Sequence, residues 1–272
     1  MQEKVKILKV KFDSITLNEA TKKALDLAND KKQHYITTPN PEILLEALKN
    51  NKFKKVLNKS DLNIPDGIGI LWAAKYLHST RNTNSFFIKL FKWLYSLIAI
   101  PFSPKYFKTV LKERVTGADL VSEICKKSAN TQNKIFLLGA AEGIAKETAE
   151  ILKEKYPGVK IIGTYAGTPN PPDEKQITQI INKSRPNILF VAYGAPNQEL
   201  WISRNLKKMP SVKLVAGIGG TFDFIAGKLK RAPQWMQKLG LEWLYRLFQQ
   251  PSRIRRIINA SVVFPIKVLI SS

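Results

Sequence analysis

Asp66, in the stretch "IPDGIGI" (residues 64–70), is the carboxylate of this sequence best placed to act on a substrate. It follows a run typical of a strand and precedes Gly67 and a run typical of a helix. We therefore expect it at the carboxyl end of a strand, where α/β proteins bind ligands. A carboxylate there can accept a proton from a hydroxyl group, which is general base chemistry. The alternative is that Asp66 only caps the helix, because Asp is a preferred N-cap residue.

Arginines near the end of the sequence are candidates for binding an anion such as a diphosphate. Arg246, Arg253 and Arg256 are seven and three residues apart, so they would share one face of a helix that continued past Pro251. The planar guanidinium group suits bidentate binding of phosphate. The sequence has no Asp-X-Asp motif to hold a divalent metal on a nucleotide diphosphate, so we expect neither metal nor cofactor. The alternative is a solvated basic face.

Two glycine-containing loops would let backbone amides approach a phosphate. They are "LLGAAEG" (137–143), which contains Gly139, and "GIGGTFDF" (217–224), which contains Asp223. The histidines, His34 and His78, lack metal-ligand spacing, and we expect no zinc or catalytic role for them.

The hydrophobic pattern predicts the scaffold that would bring these residues together. Short β-rich runs alternate with amphipathic helical runs in residues 1–78 and 113–225, which predicts an α/β fold with a Rossmann-like, mostly parallel sheet and flanking helices. The predicted strands are residues 5–12, 34–38, 61–65, 134–139, 159–165, 187–194 and 212–220. Thr16 with Glu19 forms a capping box at the start of one helix, and Thr116 can cap another.

The overall composition favours a cytoplasmic protein with an anionic partner. The formal net charge is +23, which suits nucleic acid, phosphorylated small molecules or an acidic membrane surface. The single cysteine, Cys125, excludes an intramolecular disulfide and lies at an apolar helical position, so we expect it in the core. The first residues alternate apolar and charged side chains and do not form the apolar run of a signal peptide.

The stretch "FFIKLFKWLYSLIAIPF" (residues 86–102) predicts an amphipathic helix that lies on a membrane. It has 17 residues and contains Lys89 and Lys92, whereas a spanning helix needs about 20 apolar residues. Ser85, Lys89, Lys92 and Ser96 share one narrow polar face. We expect the lysines to point to anionic headgroups and the aromatic side chains to reach the acyl boundary. A core helix or an oligomer contact is the alternative.

Several motifs, in order along nearly the whole chain, resemble those of the WecG/TagA/CpsF glycosyltransferases, family 26. They are "TPN" (38–40), "PDGIGI" (65–70), "ERVTGADL" (113–120), "FLLGAAEG" (136–143), "YGAPNQELW" (193–201), "GIGGTFDFIAGKLKRAP" (217–233) and "GLEWLYRLFQQPSR" (240–253). Two features depart from the family pattern. The chain reads Gln249-Gln250-Pro251 where the family often has "QEP", and residues 79–112 replace a short connection.

The resemblance implies an inverting, metal-independent transfer of N-acetylmannosamine from a UDP donor to the 4-hydroxyl of GlcNAc on undecaprenyl diphosphate, in synthesis of a surface polymer such as wall teichoic acid. By matching position, Asp66 would be the general base, with Thr38 and Asn40 opposite it. The residues expected to contact the sugar diphosphate are Arg114, Gln198, Gly139, Asp223, Arg246, Arg253 and Arg256.

The expected organisation combines this resemblance with the hydrophobic pattern. Residues 1–225 would form the catalytic domain, with residues 79–112 as a membrane-associating helical insertion, and residues 226–272 a helical, basic and apolar C-terminal appendage that closes the site. The expected location is peripheral, on the cytoplasmic face of the plasma membrane, and a homo-oligomer remains open. Transfer of another sugar, such as N-acetylmannosaminuronic acid or glucose, is an alternative. A second alternative is a nucleic-acid-binding protein. The basic residues, however, lie in strongly apolar segments, which suits a bilayer better.

Overall fold

A computed structural model of the protein describes residues 4–272, apart from the side chain of Lys238. Six strands form one fully parallel sheet in the order β4-β3-β8-β7-β5-β6, and two further strands form an antiparallel hairpin. The strands are β1 Val5–Ile7, β2 Val10–Phe12, β3 His34–Thr37, β4 Leu62–Asn63, β5 Lys134–Gly139, β6 Lys160–Tyr165, β7 Ile188–Ala192 and β8 Leu214–Gly217. Helices flank the sheet, and the α/β, Rossmann-like prediction is confirmed.

The central strands are buried on both faces, which explains their nearly continuous apolar sequences. β7 and β8 contain no exposed residue, and apolar side chains from both sides of these strands fill two clusters, one on each face. Cys125 is one of the fully buried residues, as predicted from its position. A third cluster lies under the hairpin and the C-terminal helix, and it includes Phe12, Trp72 and Phe264.

Residues 5–12 form a hairpin and not the single strand that their pattern predicts. Val5 pairs with Phe12 and Ile7 with Val10, and the turn residues Leu8 and Lys9 have φ angles of 46° and 68°. Two successive left-handed residues make a tight turn whose usual sequence signal is Asn-Gly or Asp-Gly. The pair Leu-Lys carries no such signal, so alternation alone could not reveal the turn.

Single helices alternate with the strands between residues 117 and 225, whereas elsewhere several helices follow one another. They are α1 Leu17–Ala28, α2 Pro41–Lys49, α3 Asn51–Lys59, α4 Ile68–Thr80, α5 Phe86–Ala99, α6 Gly117–Ser128, α7 Ile144–Lys155, α8 Glu174–Ser184, α9 Asn197–Asn205, α10 Thr221–Ile225, α11 Gln234–Lys238, α12 Glu242–Gln249, α13 Ile254–Ile258 and α14 Phe264–Ile270. A π-helical segment, Asn259–Val263, joins α13 to α14. The predicted caps are confirmed: Thr16 and Glu19 form a capping box on α1, and Thr116 caps α6.

The end of the chain is part of a hydrophobic core. Phe264 and Val268 of α14 are fully buried among residues of α4, β2 and the hairpin turn. By contrast, α12 and α13 have no buried residue. The C-terminal segment therefore has a loosely packed middle and a firmly anchored end.

α5 is a helix over the predicted residues, but its orientation differs from the prediction. Lys89 Nζ donates to the main-chain oxygen of Ser272 at 2.8 Å, and Lys92 Nζ donates to that of Ser79 at 3.0 Å. Trp72 Nε1 donates to Ser96 Oγ at 2.9 Å. The polar face therefore packs against the protein, and the expectation that these lysines point to headgroups is wrong. Among residues 4–272, no helix has the length and apolar character needed to cross a membrane.

Candidate active site

A cavity of about 1230 Å³ opens at the carboxyl ends of the parallel strands. Its lining includes the loops that follow β3, β4, β7 and β8, together with the N-terminus of α6 and residues of the C-terminal segment. Ligands of open α/β sheets bind at this edge. Of the ten residues predicted to form the site, nine line this cavity: Thr38, Asn40, Asp66, Arg114, Gln198, Asp223, Arg246, Arg253 and Arg256.

Backbone hydrogen bonds between neighbouring loops hold Asp66 in the cavity wall. Its N–H donates to the carbonyl oxygen of Pro39 at 3.1 Å, which ties the loop after β4 to the loop after β3. Gly67 follows with a φ of 105°, a left-handed conformation that favours glycine. Gly67 occupies the N-cap position of α4, and no side chain caps this helix. Helix capping, the alternative role for Asp66, is therefore not what its side chain does.

The surroundings of Asp66 raise its pKa to about 7. Burial is the main cause, because a carboxylate loses solvation in the cavity wall, and the nearby charges of Glu242 and Asp119 act in the same direction. Arg114 and Arg246 oppose this shift. A carboxyl group with a pKa near neutrality can both accept and release a proton under physiological conditions, as a general base must.

Arg114 is held between the sheet and the C-terminal segment. The segment that carries it follows α5 and is tied to the loop after β4, since the Val115 N–H donates to Pro65 O at 3.0 Å. Arg114 Nη1 donates to Glu242 Oε2 at 2.9 Å. A second ion pair links Arg231 to Asp119 at the N-terminus of α6. Ion pairs therefore attach the C-terminal segment to the α/β body on one side of the cavity.

Arg246, Arg253 and Arg256 form a cluster of positive charge in the cavity wall. The pKa of Arg253 falls to about 10, because its guanidinium is half-buried and lies near the charges of Arg246 and Arg256. Burial and Arg256 likewise lower the pKa of Arg246. Arg256 donates to Glu42, which compensates only part of the charge.

Arg246 is also incompletely bonded. Its guanidinium lies 4.9 Å from the centre of the Phe224 ring, and its Nε–H is buried without an acceptor within residues 4–272. A buried donor without a partner costs free energy. Together with the like charges around it, this donor makes the cluster a site that an anion would stabilise.

Gln198 joins the loops after β7 and β8. Its Oε1 accepts from the N–H groups of Gly194 and Gly219 at 3.1 and 3.0 Å, and its Nε2 donates to Glu199 Oε1 at 2.8 Å. Glu199 is buried, and burial raises its pKa to about 7. Because Glu199 accepts a hydrogen bond from Nε2, it orients the Gln198 amide so that Oε1 faces the two backbone donors. The contact of Gln198 with a substrate remains a prediction.

Thr38 and Asn40 lie in the loop after β3. Asn40 Oδ1 accepts from the Ile43 N–H at 3.0 Å and so caps α2. Thr38 Oγ1 donates to the carbonyl oxygen of Gly217 at 3.4 Å. Asn40 therefore has a structural task in addition to any contact with a substrate.

Gly139 is the predicted site residue that does not line the cavity. It ends β5 with a φ of 101°, and a Cβ placed there would come within 2.8 Å of the Ala192 backbone. Close packing of β5 against β7 thus accounts for glycine at this position, and the predicted phosphate contact is not supported. Asp223, from the other glycine-containing loop, does line the cavity and is near Arg253.

Glu242 and Glu199 contribute to the site and were not predicted. Glu242 is the only acidic residue in residues 226–272, which is a sequence signal that could have identified it. Glu199 had no such signal, because its role depends on the neighbouring Gln198 amide. Nowhere in the described part of the chain do three or more His, Cys, Asp or Glu side chains form a group that could hold a metal ion.

Known proteins resemble this chain over most of its length. The model of the family described as "Glycosyl transferase WecG/TagA/CpsF family" matches residues 5–101 and 98–272. A Bacillus spizizenii protein named N-acetylglucosaminyldiphosphoundecaprenol N-acetyl-beta-D-mannosaminyltransferase is 33% identical over 225 residues, which cover 83% of this chain and 75% of that protein. A Bacillus subtilis protein of the same name is 31% identical over 224 residues, with 82% and 75% covered.

Proposed function

Since the chain belongs to the WecG/TagA/CpsF family of glycosyltransferases, we propose that it transfers N-acetylmannosamine from UDP-N-acetylmannosamine to the 4-hydroxyl of GlcNAc-diphospho-undecaprenol. The named relatives support this acceptor and this sugar. The observation that carries the proposal is that the carboxylate of Asp66 and three arginines, Arg246, Arg253 and Arg256, line a single cavity.

The proposed reaction is a single displacement with inversion at the anomeric carbon. Asp66 removes the proton from the acceptor hydroxyl while the hydroxyl oxygen attacks the anomeric carbon of the donor. The bond from that carbon to the UDP oxygen breaks. The arginine cluster stabilises the negative charge on the departing diphosphate. Arginine in this role requires no divalent metal, so turnover is expected to persist in excess EDTA.

The acceptor determines where the enzyme works. A sugar on undecaprenyl diphosphate stays close to the membrane, so the protein should act as a peripheral enzyme on the cytoplasmic face of the plasma membrane. The product would enter a surface polymer, for which the wall teichoic acid linkage unit is the leading candidate.

A donor screen tests the proposal directly. The purified protein would be assayed with a lipid-linked GlcNAc acceptor and UDP-N-acetylmannosamine, UDP-N-acetylmannosaminuronic acid, UDP-GlcNAc or UDP-glucose, with and without EDTA. The expected result is a β-linked disaccharide from the first donor, identified by mass spectrometry and NMR. Turnover with another donor would show that the donor is not UDP-N-acetylmannosamine. Loss of turnover in EDTA, restored by Mg²⁺, would contradict metal independence.

A further inference from the structure

The amphipathic helix α5 presents its apolar side to solvent. Phe87 and Phe91 are 81% and 70% exposed, whereas Lys89 and Lys92 on the opposite side are half-buried. The exposed apolar residues of this segment are Phe86, Phe87, Ile88, Phe91, Leu94, Tyr95, Ile98 and Phe102. Soluble monomers rarely expose so large a contiguous apolar surface, and such patches mark contacts with a partner or a membrane.

Specific contacts fix this orientation. Besides the hydrogen bonds of Lys89, Lys92 and Ser96, Trp93 Nε1 donates to Pro265 O at 2.9 Å, and Tyr76 OH donates to Lys89 O at 3.3 Å. Rotation of α5 to bury its aromatic side chains would break these bonds. The apolar face is therefore held outward by the rest of the fold.

The charges near the apolar face of α5 favour an acidic membrane as its partner. Besides the inward-facing Lys89 and Lys92, residues 67–112 contain five lysines and arginines and no acidic residue. Arg81, Lys105 and Lys108, at the two ends of α5, are exposed. A second copy of the chain would bring like charges together, whereas acidic headgroups complement them.

We propose that the outward face of α5, defined by Phe87, Phe91, Leu94 and Ile98, inserts into an acidic lipid bilayer and positions the cavity mouth at its surface. The helix lies in the membrane plane, with its apolar side chains at the acyl boundary. The C-terminal end of α5 links this surface to the site, because Leu97, Ile100 and Pro101 line the same cavity as Asp66.

The position of the cavity mouth rests on the proposed function, since it explains how a lipid-linked acceptor reaches Asp66 without leaving the bilayer. Bilayer insertion by α5 is a separate property that can be measured without any sugar substrate. The two ideas can therefore fail independently.

The test compares two double variants with the same change in charge. F87E/F91E alters the outward face of α5, and I151E/I162E alters two exposed apolar residues on α7 and β6. Each is sedimented with vesicles of equal parts phosphatidylglycerol and phosphatidylcholine, and with phosphatidylcholine alone. Circular dichroism and thermal melting check that each variant is folded, and F87L/F91L tests for rescue.

We expect F87E/F91E to bind the acidic vesicles at least about tenfold more weakly than the wild type, because two aromatic side chains no longer insert. I151E/I162E should lose no more than about twofold, and F87L/F91L should retain binding. Equal losses in both glutamate variants, or no loss in F87E/F91E, would overturn the proposal. So would sedimentation velocity showing that the wild type is an oligomer that F87E/F91E dissociates.

Activity separates this inference from the proposed function. F87E/F91E should turn over an undecaprenyl-linked acceptor in vesicles more slowly than the wild type and a short-chain soluble acceptor equally fast. If the variant lost vesicle binding but the wild type transferred no sugar, the proposed function would fail and the docking surface would stand. If the wild type transferred sugar and the variant bound vesicles normally, only the docking surface would fail.

Discussion

Asp66 has its pKa raised to about 7 by burial, and its proposed role as a base requires the charged form. We expect kcat/KM to fall about tenfold for each pH unit below this pKa and to level off above it. Asp66→Asn, which cannot accept the proton, should lower kcat by about 10²- to 10⁴-fold. UDP binding measured by calorimetry should persist, because the arginine cluster is intact. Near wild-type turnover in a folded variant would exclude Asp66 as the base.

The same shift has a consequence for stability. The pKa of Asp66 is higher in the folded than in the unfolded protein, so the folded state binds the proton more tightly. Its contribution to stability is present at low pH and is lost as the pH rises toward about 7. Asp66→Asn has no charge to desolvate. The difference in melting temperature, variant minus wild type, should therefore be larger at pH 8 than at pH 5. A difference independent of pH would show that Asp66 is not buried in the way described.

At the scale of elements, α12, α13 and the turn between them supply the three arginines of the proposed anion site. Arg253 is half-buried within the cluster, whereas Arg255, two residues away, is exposed. Arg253→Ala should weaken UDP binding by about 10- to 100-fold, because a hydrogen bond to a charged group is lost. Arg255→Ala is the matched control and should change binding little. Equal effects of the two substitutions would indicate a diffuse basic surface in place of a specific site.

Removal of Arg253 should not lower the melting temperature of the free protein. The cluster holds three like charges near one another. Partial burial first, and then repulsion from Arg246 and Arg256, lower the pKa of Arg253. A variant that binds UDP less tightly and melts no earlier than the wild type would separate a binding role from a structural one. Early melting would mean that Arg253 mainly supports the fold.

For the molecule as a whole, the end of the chain stabilises the core around α4 and the β1–β2 hairpin. Phe264 is fully buried although it lies in the C-terminal segment, while Phe248 in the same segment is 75% exposed. Phe264→Ala should lower the free energy of unfolding by about 3–5 kcal/mol, since it leaves a cavity in the core. Phe248→Ala should change it by less than about 0.5 kcal/mol. Denaturant unfolding of both variants would measure the difference.

The buried end of the C-terminal segment makes truncation a poor test of the arginines. Truncation after residue 225 would remove Phe264 and Val268 from the core together with the arginines, so loss of donor binding could not be assigned to the arginines alone. Point substitutions in α12 and α13, which contain no buried residue, avoid this difficulty. A truncated chain as stable as the full chain would contradict the assignment of these residues to the core.

The sequence by itself determined the α/β class, the approximate positions of the six strands of the parallel sheet and both helix caps. Through the family resemblance it also gave ten candidate site residues, nine of which line the cavity. Local patterns were sufficient for the strands, the caps and the strand-end position of Asp66, because burial on both faces, capping and strand-end loops each affect the types of neighbouring residues. Only the tertiary structure decided the hairpin at residues 5–12, the packing role of Gly139 and the pairing of Glu242 with Arg114. It also decided that α5 turns its lysines inward, because a helical pattern separates two faces but the contacts with Ser79, Pro265 and Ser272 select which one is buried.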